Sequence, residues 1–279
     1  MRRSDIRVAS VYMEGTNCED ETAACFRFLG AEAETVHLKQ LTGDVPRPEL
    51  RRRLADYEVL AIPGGFAAGD YVRAGAIFAA RLKSKLRGEV SEFVKSGKAV
   101  LGICNGFQVL VECGMLPGFG GVMTDSPEAV LGTNDSAHYE CRPSLLRMDN
   151  GGSCVAARAF SKGETMTIIS SHGEGKWQFP KEREGSLLKE LIENDQVVFR
   201  YVNPQGEAGR YPWNPNGALD DIAAVCNREG NVLGIQPHPE RVFFRYLHPD
   251  WTRGKEDPMG PGDGRRVFES ILAQAERRL

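Results

Sequence analysis

Residues 99–108, Ala-Val-Leu-Gly-Ile-Cys-Asn-Gly-Phe-Gln, constrain the fold more than any other part of the chain. An apolar strand stops at Cys104 and turns at once into a helix, with no loop between. A sharp strand-to-helix turn of this kind lifts the apex side chain out of the sheet. Gly102 and Gly106 stand two positions to either side, so the two backbones can pass closely. A helix beginning at Asn105 aims its free N–H groups and positive dipole end at the sulfur. Such surroundings favour thiolate, the nucleophilic form.

The segments around it repeat the strand-then-helix pattern. Strands are predicted at 7–13, 34–38, 58–62 and 99–104. Helices are predicted from an Asn17 cap to about 29, at 76–96 and at 105–113, with the span 43–53 passing from loop to helix. This alternation predicts an α/β fold with a doubly wound, mostly parallel sheet and helices on both faces. Ligands in such sheets sit at the carboxyl ends of strands, where Gly15, Gly64, Cys104 and His238 all fall. Beyond residue 140 the segments at 145–148, 154–159, 167–171 and 197–201 read as shorter, more antiparallel strands. A short helix at 186–194 lies among them. A hairpin across Arg228-Glu229-Gly230 joins 222–226 to 231–236, and a helix at 266–278 follows. One domain over residues 1–279 is expected, with a long loop insertion at 247–264 rich in Gly, Pro, Asp and Trp.

The hairpin leads into Gln236-Pro237-His238-Pro239-Glu240-Arg241, a histidine with a carboxylate two positions on. Cys104, His238 and Glu240 together supply a nucleophile, a base and an orienting acid, the set needed to open a carbonyl through a thioester. The N–H of Asn105 can face the oxygen of a tetrahedral intermediate. The turn Pro63-Gly64-Gly65-Phe66, which ends an apolar strand with two glycines, is the candidate for a second donor. Preorganised donors of this kind contribute roughly 3–4 kcal/mol each.

Composition narrows the function. With 279 residues, a net charge of −3 and 41% hydrophobic content, the chain resembles neither a nucleic-acid binder nor a membrane-surface protein. No run approaches the ~18 apolar residues of a membrane span. The start, Met-Arg-Arg-Ser-Asp, lacks an apolar segment behind its arginines, so no signal peptide is expected. Seven cysteines without framework spacing fit a reducing cytoplasm. Without a Cys-x-x-Cys pair, no metal site is expected.

Several local motifs then converge on one family. They are Gly15-Thr16-Asn17-Cys18, Pro63-Gly64-Gly65-Phe66 with Gly69-Asp70, and Gly102-Ile103-Cys104-Asn105-Gly106-Phe107-Gln108. Further on stand Ser171-His172-Gly173-Glu174-Gly175, Asn214-Pro215-Asn216-Gly217 and Pro237-His238-Pro239-Glu240-Arg241. Over nearly its whole length the chain resembles the class I (triad) glutamine amidotransferases, of flavodoxin-like fold. Within them it is most similar to the glutaminase subunits of phosphoribosylformylglycinamidine synthases. The resemblance implies that Cys104 attacks the side-chain amide of L-glutamine, that His238 relays the proton and that Glu240 holds the imidazole. It implies an oxyanion hole at Gly65 and Asn105, and substrate contacts from Gly64, Phe66, Gln108, His172 and Gly173. It also implies no cofactor on this chain. ATP and Mg would belong to a partner synthetase subunit, and the chain itself has no phosphate-binding Gly-x-x-x-x-Gly-Lys-Ser/Thr loop. A small third subunit would join the complex. The sequence departs from the family pattern at Met13, Glu14, Ala67 and Ala68 and in the length of the 248–264 segment. An amidotransferase subunit of another pathway and a cysteine hydrolase acting on other substrates remain as alternatives.

Overall fold

The computed structural model describes residues 2–278. Strands and helices alternate along its first half. They begin with β1 (Arg7–Tyr12), α1 (Glu19–Phe28), β2 (Glu32–His37), α2 (Leu38–Thr42) and β3 (Val59–Ile62). Next come α3 (Ala76–Lys95), β4 (Ala99–Ile103) and α4 (Asn105–Glu112). The second half holds β5 (Val130–Thr133), β6 (Glu140–Met148), β7 (Thr165–His172), β8 (Glu174–Gln178) and α5 (Glu184–Glu193). It ends with β9 (Val197–Val202), β10 (Ile222–Cys226), β11 (Val232–Ile235) and α6 (Arg265–Arg278).

One nine-stranded sheet runs β2-β1-β3-β4-β11-β10-β9-β6-β7. The strands from β2 to β11 pair in parallel, and those from β11 to β7 pair antiparallel. The predicted doubly wound sheet with antiparallel additions is therefore present. β3, β4 and β11 are buried along their whole length, which is why they read as unbroken apolar runs rather than alternating ones.

Side chains alternate between the two faces with the period of a strand. Ala9, Leu60, Ile62 and Val100 join Phe78, Leu82 and Val90 of α3 and Phe107 and Leu110 of α4 in one layer. Val8, Val59, Ala61, Leu101 and Ile103 join Ala23 and Phe26 of α1 and Phe268 and Leu272 of α6 in the other. Phe107 also stacks on Trp177 of β8, with ring centroids 5.8 Å apart. That contact ties α4 to the two-stranded sheet of β5 and β8.

Several local expectations are corrected. The α1 helix is capped at Cys18, with no side-chain cap bond, rather than at Asn17. The apolar segment 154–159 is a 3-10 turn over Val155–Ala157, not a strand. Burial against α6 satisfies its apolar pattern without a strand partner, which a short apolar run cannot reveal. The span 43–53 holds only a 3-10 turn, Pro48–Leu50, after the short α2. β5 and β8 have no counterpart among the predicted strands. Residues 247–261 form a mostly exposed loop around a 3-10 turn at Trp251–Arg253, with Phe244 bridged to Pro261, and the segment ends at the buried Gly262 and Gly264. No helix among the described residues is long and apolar enough to cross a membrane.

The packing of α4 has a measurable consequence. A Cβ at Gly106 would lie 1.8 Å from the carbonyl oxygen of Ile62, which is backbone and cannot turn away. Gly106→Ala should push α4 off β3 and cost about 3 kcal/mol. Gly88, in the middle of α3, has nothing within 4 Å of the point where a methyl group would stand, so Gly88→Ala should stabilise by about 0.5–1 kcal/mol. Urea midpoints that moved the same way for both variants would contradict this packing.

Candidate active site

Cys104 stands where β4 gives way to α4. Its backbone takes φ +51° and ψ −107°, a conformation that residues with a Cβ rarely adopt and that costs of order 1–3 kcal/mol. Two backbone bonds hold it there. Its N–H donates to Ile235 O on β11 at 2.8 Å, and its carbonyl accepts from Gln108 N at 3.1 Å, the first bond of the helix. The N–H groups of Asn105 and Gly106 precede that bond and have no partner inside the helix. The thiol, 5% exposed, points at Ser171 O (3.6 Å), and Gln236 Nε2 donates toward the sulfur at 3.8 Å.

The strand next to β4 leads to His238, the candidate base. β11 ends at Ile235, and the chain continues through Gln236 and Pro237 to His238, whose N–H donates to Ile169 O of β7 at 2.9 Å. His238 and Glu240 are 2% and 4% exposed, and His238 Nδ1 lies 2.5 Å from Glu240 Oε1. An ionised carboxylate only accepts, so Nδ1 carries the hydrogen and Nε2 is the basic nitrogen of the neutral ring. Nε2 is buried and has no hydrogen-bond partner. Burial opposes protonation of His238, but the Glu240 carboxylate and the Cys104 sulfur outweigh it and hold the imidazole well above its ordinary pKa.

Gly64 explains how imidazole and thiol come so close. A Cβ built on it would stand 2.7 Å from His238 Cε1, 3.4 Å from Cys104 Cβ and 3.4 Å from Cys18 Sγ. Any side chain here would wedge His238 and Cys104 apart. Cys18 is a neighbour of the candidate triad that sequence reasoning missed, and Arg241 Nη2 donates to its sulfur at 3.4 Å. Cys18, His238 and Glu240 bring one donor atom each within 4.8 Å of one another, a set in which imidazole and carboxylate already serve each other.

A small cavity of about 120 Å³ opens beside Cys104. Gly65, Phe66, Gln108, His172 and Gly173, all named from sequence, line it together with Asp70, Ala74, Tyr139, Ser171 and Glu174. Gly64 and Asn105 are not part of that lining, although Gly64 packs against Cys104. Asn105 is a brace: its Oδ1 accepts from Ala67 N (3.2 Å), and its Nδ2 donates to Asp70 Oδ1 (3.2 Å) and Gln108 Oε1 (2.9 Å). Gln108 in turn donates to Glu174 O, so both ends of its amide are engaged within the protein. Sequence assigns no role to Asp70, Glu174 or Gln236, although each stands in or beside a motif. Their signal is their place next to the glycine turn, the His-Gly dipeptide and the Pro-His dipeptide.

His172 has a defined tautomer. Asn216 Oδ1 accepts from Ala218 N at 2.9 Å, and Asn216 Nδ2 donates to Gly175 O at 2.9 Å, which settles the amide orientation. The 3.0 Å contact from Asn216 Nδ2 to His172 Nε2 is then a donation to that nitrogen, so Nδ1 bears the hydrogen. Burial, helped by the charge of His238, pushes the His172 pKa down to about 3, so the ring is neutral. Its Nδ1 is buried without a partner.

The family model of the CobB/CobQ-like glutamine amidotransferase domain matches residues 5–273. The chain is 49% identical over 279 residues to a protein of Archaeoglobus fulgidus named phosphoribosylformylglycinamidine synthase subunit PurQ, covering 99% of this chain and 100% of that one. It is 40% identical to the protein of the same name from Picrophilus torridus, covering 95% of this chain and 97% of that one. Among solved structures, one chain of the structure of PurLQS from Thermotoga maritima superposes with a TM-score of 0.69 at 30% identity, covering 97% of this chain and 99% of that one. The strained turn at Cys104, the buried histidine–glutamate pair and this similarity along the whole chain agree: the chain belongs to the CobB/CobQ-like glutamine amidotransferase family.

Proposed function

We propose that this chain is the glutaminase subunit of a phosphoribosylformylglycinamidine synthase. The observation that carries the chemistry is the strained turn at Cys104, set against the buried His238–Glu240 pair on the neighbouring strand. The 49% and 40% identical relatives, matched along nearly their full length, support the pathway.

In this reading Cys104 Sγ attacks the side-chain amide carbon of L-glutamine while His238 Nε2 takes the thiol proton. The N–H groups of Asn105 and Gly65 receive the charge that develops on the amide oxygen. His238 returns the proton to the departing nitrogen, and ammonia leaves a glutamyl thioester on Cys104. Water, deprotonated by His238, then releases glutamate. Glu240 keeps the ring in the tautomer that presents Nε2 and stabilises the imidazolium. Gly64 supplies the space these groups need. Gly65, Phe66, Gln108, His172 and Gly173 form the glutamine pocket.

The ammonia goes to a partner synthetase subunit, which would use ATP and Mg to convert formylglycinamide ribonucleotide to formylglycinamidine ribonucleotide. A small third subunit completes the assembly, in keeping with the name PurLQS of the Thermotoga maritima structure. Residues 1–279 act as one amidotransferase domain, with the 247–264 segment as an insertion. Its seven free thiols suit the cytoplasm.

Cys104→Ser should lower glutamate release from glutamine by at least about a thousandfold. Ammonia-dependent synthesis by the assembled complex should survive, because ammonia enters after the thioester step. Retention of most glutaminase activity would move the nucleophile elsewhere. His238→Asn should lose more than Glu240→Gln, by about tenfold or more, since a base transfers the proton and its orienter does not. The pH profile distinguishes the roles further. Glu240 helps raise the His238 pKa, so its removal lowers that pKa, and the imidazolium that protonates the leaving ammonia is lost at lower pH. The basic limb of the Glu240→Gln profile should therefore shift to lower pH; a shift to higher pH would contradict the assigned roles.

A further inference from the structure

We infer that Gln236 is a catalytic residue of the Cys104 site: its side-chain amide donates to Cys104 Sγ and stabilises the thiolate that attacks the substrate. The inference rests on the glutaminase reading above. It adds a group that holds the charge of the sulfur to the one that takes its proton.

The fold fixes both the place and the orientation of this amide. β11 pairs in parallel with β4, with Ile235 opposite Ile103, so Gln236 follows one strand where Cys104 follows the other. The backbone N–H of Gln236 donates to Ala223 O at 3.0 Å, and the residue is 1% exposed. Its Nε2 donates to Glu174 O at 3.2 Å and towards Cys104 Sγ at 3.8 Å. A peptide carbonyl only accepts, so the nitrogen must be the end of the amide that faces Glu174. The two hydrogens of Nε2 then have one partner each, the carbonyl and the sulfur.

Stability alone does not explain a glutamine here. Its Oε1 is buried and has no hydrogen-bond partner, and an unsatisfied buried acceptor weakens a fold. Glu174 O does not depend on Gln236 either, because Gln108 Nε2 also donates to it. An apolar side chain of the same length would fill the space and leave no acceptor stranded. What it could not supply is an N–H aimed at the sulfur.

The surroundings of the sulfur make this N–H matter more in the anion than in the thiol. The thiol donates to Ser171 O at 3.6 Å, a contact that serves the protonated form. His238 Nε2, buried and without a partner, takes the proton in the glutaminase reading. Once the proton has moved, the Ser171 carbonyl has nothing to accept, while the Gln236 contact becomes a charge-assisted bond. An interaction that strengthens as charge appears lowers the barrier to forming that charge. The titratable groups that face the sulfur are His238, with Glu240 behind it, and Tyr201 of β9. Asp70, His172 and Glu174 line the cavity beside it, and Cys18 flanks the His238 ring. The negative charge of the three carboxylates among them opposes a thiolate, and a fixed neutral donor offsets that opposition.

The test is Gln236→Met, measured in the complex with the synthetase. Methionine matches glutamine in length, removes the N–H and leaves Glu174 O its bond from Gln108, so the variant should fold. Glutamate release from glutamine should lose about 10- to 100-fold in kcat while KM changes by less than about threefold, because Gln236 is not part of the cavity lining. Alkylation of Cys104 by iodoacetamide, located by mass spectrometry, should be slower at neutral pH and should reach the wild-type rate at alkaline pH. Its midpoint should move to higher pH, since a donor to the anion lowers the pH at which the anion forms. Gln236→Leu should behave in the same way, and ammonia-dependent synthesis reports that each variant is assembled. An unchanged kcat and alkylation profile would overturn the inference. So would a loss carried by KM, or an alkylation rate lowered by one factor at every pH, since either marks a structural role. Failure of both variants to assemble would make Gln236 a structural bridge and overturn the inference as well. A wild-type complex that releases no glutamate from glutamine would instead overturn the glutaminase reading, and the alkylation profiles would still decide whether Gln236 stabilises the thiolate.

Discussion

The site depends on the closeness of α4 to the sheet. Cys104 can hold φ +51° only because its N–H is bonded to Ile235 and its carbonyl starts the helix. The helix can start there only because Gly106 lets it lie against the Ile62 carbonyl. The strain of the turn, of order 1–3 kcal/mol, is offset by apolar burial in the layer where Phe107 and Leu110 meet Ile62, Val100 and Val232 of the sheet. A cysteine on a flexible loop would have no such constraint and would not be held in one place beside His238.

The same sheet solves the second physical problem, that of burying charge. An imidazole and a carboxylate removed from water lose several kcal/mol of solvation each, and a mutual bond recovers it only with good geometry. His238 and Glu240 have that geometry at 2.5 Å. They are fixed by β11 beneath and by β7, whose Ile169 carbonyl binds the His238 backbone. The antiparallel half of the sheet therefore helps build the candidate site directly, because β7 also supplies Ser171 and His172 to the cavity.

The pocket wall shows a related economy. Asn105 stands next to the nucleophile in sequence, yet its side chain joins two separate segments: Ala67 and Asp70 on the loop after β3, and Gln108 on α4. Gln108 passes the link on to a third, Glu174 at the start of β8. A disturbance at any one of these residues should be felt at the others, because each buried polar group has few alternative partners.

Some of this is legible in the chain itself. Fully buried parallel strands must be apolar on both faces, so β3, β4 and β11 stand out as unbroken apolar runs, and a cysteine directly between strand and helix has few geometries open to it. The proposed triad of Cys104, His238 and Glu240 follows from chemistry that allows few residue types. Asn17 has the right side chain for a cap, but Gly64 O claims the backbone N–H groups of Asn17 and Cys18 and moves the start of α1. The segment 154–159 looks like a strand because short apolar runs are alike whether they pair in a sheet or pack under a helix. The roles open to Asp70, Cys18 and Gln236 are decided only by tertiary structure. They lie 34, 86 and 132 residues from Cys104 along the chain, and local sequence encodes backbone preference and burial but not which distant side chains will share one buried space.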